Sequence, residues 1–238
     1  MKRNFVAVCL ISICVFICAC TLATSQSNQT TELPKRDKDN NSQLNNNSQL
    51  NKNAQANSFD NLVAENVKSV FFESIDDRCE EAGIKTLRKT ALGKDNFEIR
   101  VWVGFGLTKL EGFLLNQVND KWSATHIDAD FSSKKFLNRN IKLNEPKSGW
   151  QNALQKLIDN DILTLPSAES INCSAMYNDG MSYVVEIKKG NKYRTYMYDN
   201  PWADFENKCA EADKMLNIGK IISDEFGLVE FDLTKRPK

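Results

Sequence analysis

The chain has 238 residues, of which 41% are hydrophobic and 26% are charged. This balance is typical of a globular protein, and it excludes a fully disordered chain and a protein with many membrane spans. The 31 lysines and arginines are matched by 31 aspartates and glutamates, so the chain lacks the basic excess that non-specific nucleic-acid binding needs. A single histidine is few for a catalytic or transition-metal site.

Residues 1–19 have the features of a secretory signal peptide. Lys2 and Arg3 form a basic start, and residues 5–19 are largely apolar and carry no charge. A helix of that length spans about 22 Å, which is less than the hydrocarbon core of roughly 30 Å. We therefore expect a cleaved leader rather than a permanent anchor.

The leader ends in Ile17-Cys18-Ala19-Cys20, which resembles the lipobox of bacterial lipoproteins. In that motif an aliphatic residue and, two positions later, a small residue precede the cysteine that is lipidated. The resemblance implies that Cys20 becomes the new N-terminus and carries a diacylglyceryl thioether and a further acyl chain such as palmitate. Several acyl chains on one residue anchor a protein stably in a membrane.

The residue after the cysteine is Thr21 rather than aspartate, so the same resemblance implies the outer membrane, with the protein facing the periplasm. The alternative is an ordinary secretory signal that is cleaved near the small residues Ala23-Thr24-Ser25. Both interpretations place the mature protein outside the cytosol.

Residues 20–57 are predicted to be the lipidated cysteine followed by a disordered, asparagine-rich tether. Between Asn40 and Asn57, eight of eighteen residues are asparagine, which leaves too little apolar surface to offset the entropy of ordering the chain. Residues 58–238 have regularly spaced aromatic residues and enough length for one hydrophobic core. We expect a single globular domain there.

A strand and a hairpin are predicted first in this domain. Residues 97–103 alternate in polarity, which indicates a strand with Trp102 on the more polar face. Residues 110–118 and 121–131 flank Asn119-Asp120, a pair that tolerates the positive φ angles of a tight turn.

A helix and a second hairpin follow. Ser148 and Gln151 have the spacing of a capping box, and apolar residues then recur at helical intervals, so we predict a helix over 150–160. Residues 181–189 and 192–199 flank a Gly-Asn pair that suits a type II′ turn.

The last predicted element is a helix that begins at Asn200-Pro201 and ends at Gly227. Residues 59–75 have helical spacing, and residues 84–90 are compatible with a strand. Hairpins combined with long helices indicate an α+β fold. We predict an antiparallel sheet of hairpins with two or three helices packed on one face.

If Cys20 is acylated, the domain keeps Cys79, Cys173 and Cys209. Cys173 and Cys209 lie about equally far beyond the open end of the second hairpin, which favours a disulfide between them. Cys79 paired with His126 as a nucleophile is disfavoured, because the acidic neighbours of Cys79 raise the pKa of a thiol.

One polar cluster is the candidate functional site. His126, Asp128 and Asp130 alternate along a predicted strand and share one face. The tight turn places Glu111 opposite Asp128 and Lys109 opposite Asp130. Such a set could bind a divalent ion or supply an acid–base pair. The alternative, which we favour, is a solvated sheet face neutralised by Lys109.

Aromatic residues form a second candidate surface. Tyr183, Tyr196 and Tyr198 share one face of the second hairpin, and Trp202 follows shortly after it. Tyrosine and tryptophan are enriched at interfaces, but packing within the core is the favoured interpretation. Arg194 lies on the same face, and the sequence indicates no acidic residue as its partner.

No nucleotide-binding, serine-hydrolase, zinc-protease or calcium-loop motif is present in the sequence. We therefore assign no catalytic residues and expect no cofactor. The sequence favours a non-catalytic, lipid-anchored envelope protein that binds another envelope protein, in one version an immunity-type inhibitor of an enzyme toxin. The alternative is an envelope hydrolase that uses carboxylates or a His/Asp metal site.

Overall fold

In the computed structural model of the protein, the residues described are 59, 69–105, 107, 109–132, 137–171, 173, 181–202 and 209–235. The predicted leader, lipobox and tether lie outside them. All the described residues belong to one compact unit, residues 43–238. Among them no helix is both long enough and apolar enough to cross a membrane.

In the part of the chain that the structure describes, six antiparallel strands form one sheet in the order β4-β3-β2-β1-β5-β6. The strands are β1 (Phe97–Phe105), β2 (Lys109–Val118), β3 (Lys121–Asp130), β4 (Leu137–Lys142), β5 (Ser182–Lys189) and β6 (Lys192–Asp199). The longer helices of the described residues are α1 (Ser69–Glu81), α2 (Trp150–Asp159) and α3 (Ala210–Phe226). The predicted α+β class with an antiparallel sheet is confirmed.

Tight turns fix the register of the sheet. Asn119 and Asp120 have φ angles of 51° and 60°, as both central residues of a type I′ turn require. This turn sets Glu111 opposite Asp128, as the sequence predicts. Gly190 has a φ of 55°, and the turn that it begins sets Tyr183 opposite Tyr198.

Helices α2 and α3 cover one face of the sheet. Ile99 and Val101 of β1 point to this face, where they join one core with Leu154 of α2 and Met215 and Ile222 of α3. In both α2 and α3 the buried residues recur at helical spacing. One side of each helix is therefore apolar and packs against the sheet. This core is the larger of the two in the described residues.

Helix α1 covers the opposite face, so the prediction that the helices pack on one face is not confirmed. Trp102 of β1 and Ile127 of β3 form a second core with Ile75 and Cys79 of α1. Glu98 and Arg100 alternate with apolar residues along β1 and lie on this face. In the structure Arg100 is buried and Glu98 is half-buried, and the two are hydrogen-bonded to each other.

Helix α2 begins at Trp150, as predicted, but its predicted cap and the predicted start of the last helix need correction. Helix α2 begins after Gly149, which makes no side-chain cap, and the N–H of Ser148 instead donates to Glu225 of α3 at 2.9 Å. Helix α3 begins at Ala210 rather than near Asn200. Asn200 has a φ of 47° and its side-chain oxygen accepts the N–H of Met181 at 2.8 Å, so it closes the second hairpin.

One further prediction differs from the structure, and one strand was not predicted. Residues 84–86 have no regular secondary structure and residues 87–90 form a turn and a bend instead of a strand. Lys188 of β5 binds this turn by donating to the carbonyls of Leu87 and Arg88 at 3.2 and 2.8 Å. Strand β4 was not predicted. Its sequence, Leu-Asn-Arg-Asn-Ile-Lys, has low strand propensity, and pairing with β3 orders it.

Gly219 of α3 lies close to the backbone of Phe231. A Cβ atom there would overlap the carbonyl oxygen of Phe231 and the hydroxyl of Tyr183, which are themselves hydrogen-bonded. We expect Gly219→Ala to lower the free energy of unfolding by about 1–3 kcal/mol because the helix must shift. Urea denaturation measures this. Lys220→Ala, at the next and exposed position, should change stability by less than about 0.5 kcal/mol.

Candidate functional site

The predicted polar cluster lies where β2, β3 and β4 run side by side. Register sets Glu111 opposite Asp128 and Lys109 opposite Asp130, and Arg139 of β4 lies on the other side of Asp128. The structure therefore brings Glu111, His126 and Asp128 together on one face, and β4 adds a cation that sequence reasoning missed.

Cations neutralise both carboxylates of this cluster. Lys109 Nζ lies 2.6 Å from Glu111 Oε1 and 3.9 Å from Asp128 Oδ1. Arg139 forms an ion pair with the other oxygen of Asp128. The hydrogen bond to Glu111, with the charges of Glu111 and Asp128, raises the pKa of Lys109. The prediction that Lys109 neutralises the excess charge is confirmed.

The cluster is more buried than a solvated face would be. His126 and Glu111 are both buried, and His126 Nε2 lies 2.7 Å from Glu111 Oε2. The His126 ring meets the edge of the Phe231 ring, with 6.4 Å between centroids. Residues near the C-terminal end of the chain therefore cover part of the face that was expected to be solvated.

Asp130 does not join the cluster. Its Oδ1 accepts the N–H of Ser132 at 2.8 Å, and hydrogen bonds from the hydroxyl and the N–H of Ser132 lower the pKa of Asp130. Among the residues that the structure describes, no group of three or more His, Cys, Asp and Glu side chains is placed to hold a metal ion.

A second polar network, which sequence reasoning missed, lies under α1. Glu186 of β5 is fully buried; the indole N–H of Trp102 donates to its Oε2 and the hydroxyl of Tyr193 donates to its Oε1, both at 2.9 Å. Arg100 lies 4.0 Å from Glu186 and donates to Glu98 at 2.7 Å. Each charge of this network is paired, as burial requires.

Burial raises the pKa of Glu186, and the Arg100 charge and the hydrogen bonds from Trp102 and Tyr193 offset only part of the shift. Burial and the Glu186 carboxylate also raise the pKa of Tyr193. The network lies in a low-dielectric interior and lacks the access to solvent that an acid–base catalyst of an external substrate needs.

A pH-dependent contribution to stability follows. Because the pKa of Glu186 is raised in the folded state above its ordinary value of 4.5, the stability that it contributes is complete below that value and declines as pH rises through the folded pKa. We expect the wild type to lose stability relative to Glu186→Gln over that interval. Urea unfolding of both proteins at successive pH values measures this, and a difference independent of pH would contradict it.

Cys79 is the free thiol of the described residues. It is buried on α1 and accepts a hydrogen bond from Arg100 at 3.5 Å. Burial and the charge of Glu186 raise its pKa to about 12, so a nucleophilic role with His126 has no support.

We expect Cys79 of the native protein to resist a thiol reagent at pH 8, because the thiol is protonated and inaccessible. The reagent 5,5′-dithiobis-(2-nitrobenzoate) measures this by absorbance. Full reaction in 6 M guanidinium serves as the control, and rapid labelling without denaturant would contradict the prediction.

The tyrosines of the second hairpin pack in the core, as the sequence favours. Tyr183, Tyr196 and Tyr198 are all buried, and the hydroxyls of Tyr196 and Tyr198 donate to the carbonyls of Ile162 and Pro166, both at 2.8 Å. These residues therefore offer no exposed aromatic surface.

Arg194 also has a structural role. It donates to the carbonyl of Leu163 at 2.6 Å and to that of Leu165, and its guanidinium lies 5.4 Å from the ring centre of Tyr196. Two backbone carbonyls therefore bind this guanidinium, for which the sequence indicated no partner.

Cys173 and Cys209 form a disulfide, which confirms the predicted pairing. Their Cα atoms are 6.0 Å apart, within the range usual for a disulfide. Cys209 directly precedes α3, so the bond holds the start of this helix against the segment that leads to β5.

An open groove of about 670 Å³ lies between α1 and residues 84–91. Asp76 lines it and is paired with Arg88 and Lys89 at 2.7 and 2.6 Å. Six of its eight lining residues are polar or charged, so the groove has few of the hydrophobic and aromatic side chains that usually line small-molecule sites.

No protein-family model matches the chain, and no curated protein matches it. Its function is therefore inferred from its own residues.

Proposed function

We propose that the protein is a bacterial lipoprotein, anchored in the cell envelope through acyl chains on Cys20, and that its domain is a non-catalytic binding module. The lipobox-like Ile17-Cys18-Ala19-Cys20 supports the anchor. The Cys173–Cys209 disulfide supports an oxidising compartment. Thr21 after the lipidated cysteine supports the outer membrane, facing the periplasm.

The observation that favours binding over catalysis is the neutralisation of the Glu111–His126–Asp128 cluster. Both carboxylates are held by Lys109 or Arg139, and the imidazole is held by Glu111. A catalytic acid or base must exchange a proton with substrate, and a metal ligand needs free lone pairs directed at one point. Inhibition of an enzyme toxin, as by an immunity protein, is one form that such binding would take.

Mass spectrometry of the protein purified from a bacterial host tests the anchor. We expect a mature chain that begins at Cys20 and carries the added mass of acyl chains. Cys20→Ser should abolish the modification, whereas Cys18→Ser, the matched control two residues away, should retain it. An intact leader, or a mature start beyond Cys20 without lipid, would disprove the proposal.

Affinity purification combined with metal analysis tests the binding function. We expect the tagged, full-length protein to recover one envelope protein in stoichiometric amount, and His126→Ala to recover the same protein. The rival hydrolase predicts a bound divalent metal that His126→Ala removes while circular dichroism stays unchanged. That result, or the absence of any partner, would reject the binding module.

A further inference from the structure

The two edges of the sheet differ in how they are covered. Residues 162–168 run along β6, where Ser167 hydrogen-bonds to both the carbonyl and the N–H of Met197. At the other edge, residues 138–142 of β4 are all exposed, and β4 pairs only with β3 among the described strands.

Half of the backbone groups of β4 point away from the sheet. The N–H of Leu143 donates to the carbonyl of Ala124, which lies directly opposite, at 2.9 Å. Hydrogen-bonded pairs alternate in an antiparallel ladder. The N–H and C=O groups of Asn138, Asn140 and Lys142 are therefore directed outward, where within the described residues no backbone group bonds them.

The side chains of β4 add positive charge to this edge. Arg139 is 67% exposed on one face even while paired with Asp128, and Lys142 is exposed on the other face. Over residues 137–147 the chain has three basic residues and one acidic residue, although the whole chain is neutral. Ile141, 44% exposed, supplies an apolar contact beside Arg139.

We propose that the outer edge of β4 binds an extended, acidic segment of a partner protein as a seventh strand of the sheet. The proposal rests on the binding function given above and assigns its surface and the chemistry of its partner. Backbone hydrogen bonds to Asn138, Asn140 and Lys142 supply affinity. Aspartate or glutamate side chains of the segment meet Arg139 and Lys142, which selects an acidic sequence.

Charge disfavours a second copy of this chain as the occupant. Pairing two β4 edges would bring two basic surfaces together, and like charges across an interface are unfavourable. Charged residues on an edge strand also deter unwanted strand pairing. A protein that uses them only for that purpose would bind no acidic segment, so experiment separates the two roles.

Selection from a random peptide library on the purified full-length protein tests the proposal. We expect the recovered peptides to have an excess of aspartate and glutamate and to protect the amides of Asn138, Asn140 and Lys142 from hydrogen exchange. Peptides without an acidic excess, protection elsewhere, or no binders at all would overturn it. So would a dimer of the free protein in sedimentation that Asn140→Pro abolishes.

Two variants locate the binding. Asn140→Pro removes an outward N–H and no bond to β3, and proline is tolerated on edge strands. We expect it and Lys142→Glu to weaken peptide binding at least tenfold. Lys121→Glu, the same charge change at an exposed site at the start of β3, should leave binding unchanged. Equal binding by all three variants would overturn the proposal.

This experiment separates the edge from the binding function itself. If affinity purification recovers a partner whose binding tolerates Asn140→Pro and Lys142→Glu, the binding module stands and the assignment of its surface to β4 is wrong. If purification recovers no partner but acidic peptides bind β4, the binding module with an envelope partner is rejected, and only the preference of the edge for acidic segments is confirmed.

Discussion

Arg100→Met is expected to destabilise the folded domain by about 3–5 kcal/mol, because removing one partner of a buried ion pair leaves an uncompensated charge. Arg100 is only 4% exposed and lies between the carboxylates of Glu98 and Glu186. Without the guanidinium, the hydrogen-bond partners that the described residues leave to the fully buried Glu186 are the neutral donors Trp102 and Tyr193. Urea unfolding at pH 7, followed by tryptophan fluorescence, measures the loss.

Two control variants isolate the charge from the packing. Arg100→Met combined with Glu186→Gln removes both buried charges, so the double variant should be more stable than Arg100→Met alone. Arg78→Met removes an arginine from a partly exposed pair with Glu81 and should cost less than about 1 kcal/mol. A double variant no more stable than Arg100→Met would show that lost packing, not charge, causes the effect.

The parts of the fold that the sequence predicts correctly are local. The Asn119-Asp120 pair adopts the positive φ angles of a tight turn, and a two-residue turn fixes every pairing along the strands that it joins. For that reason the contact between Glu111 and Asp128, seventeen positions apart, could be predicted from the turn alone.

The parts that the sequence does not reveal depend on residues far apart in the chain. Glu98 and Arg100 alternate with apolar residues as on an exposed face, but Glu186, more than eighty positions later, pairs with Arg100 and allows burial. Strand β4 has little strand propensity and forms because β3 offers it a partner. The cation that Arg139 brings to Asp128 was missed for the same reason.

The candidate site shows how a missed strand changes a chemical interpretation. From β2 and β3 alone, two opposed carboxylates beside a histidine suggest a place for a divalent ion. With β4 in place, Arg139 forms an ion pair with Asp128, and Lys109 forms one with Glu111. The outer edge of the same strand is exposed. The ion-paired cluster therefore lies beside the surface that we propose for binding.

Reduction of the Cys173–Cys209 disulfide is expected to lower the free energy of unfolding by about 3–4 kcal/mol, since in the chain-entropy model it closes a loop across a separation of 36 residues. Urea unfolding with and without dithiothreitol measures this. The Cys173→Ala/Cys209→Ala variant should be equally destabilised and should not respond to the reductant, which excludes an effect through Cys79. An unfolding midpoint of the wild type that the reductant leaves unchanged would contradict the prediction, and it would also remove the support that this disulfide gives to a location in the envelope.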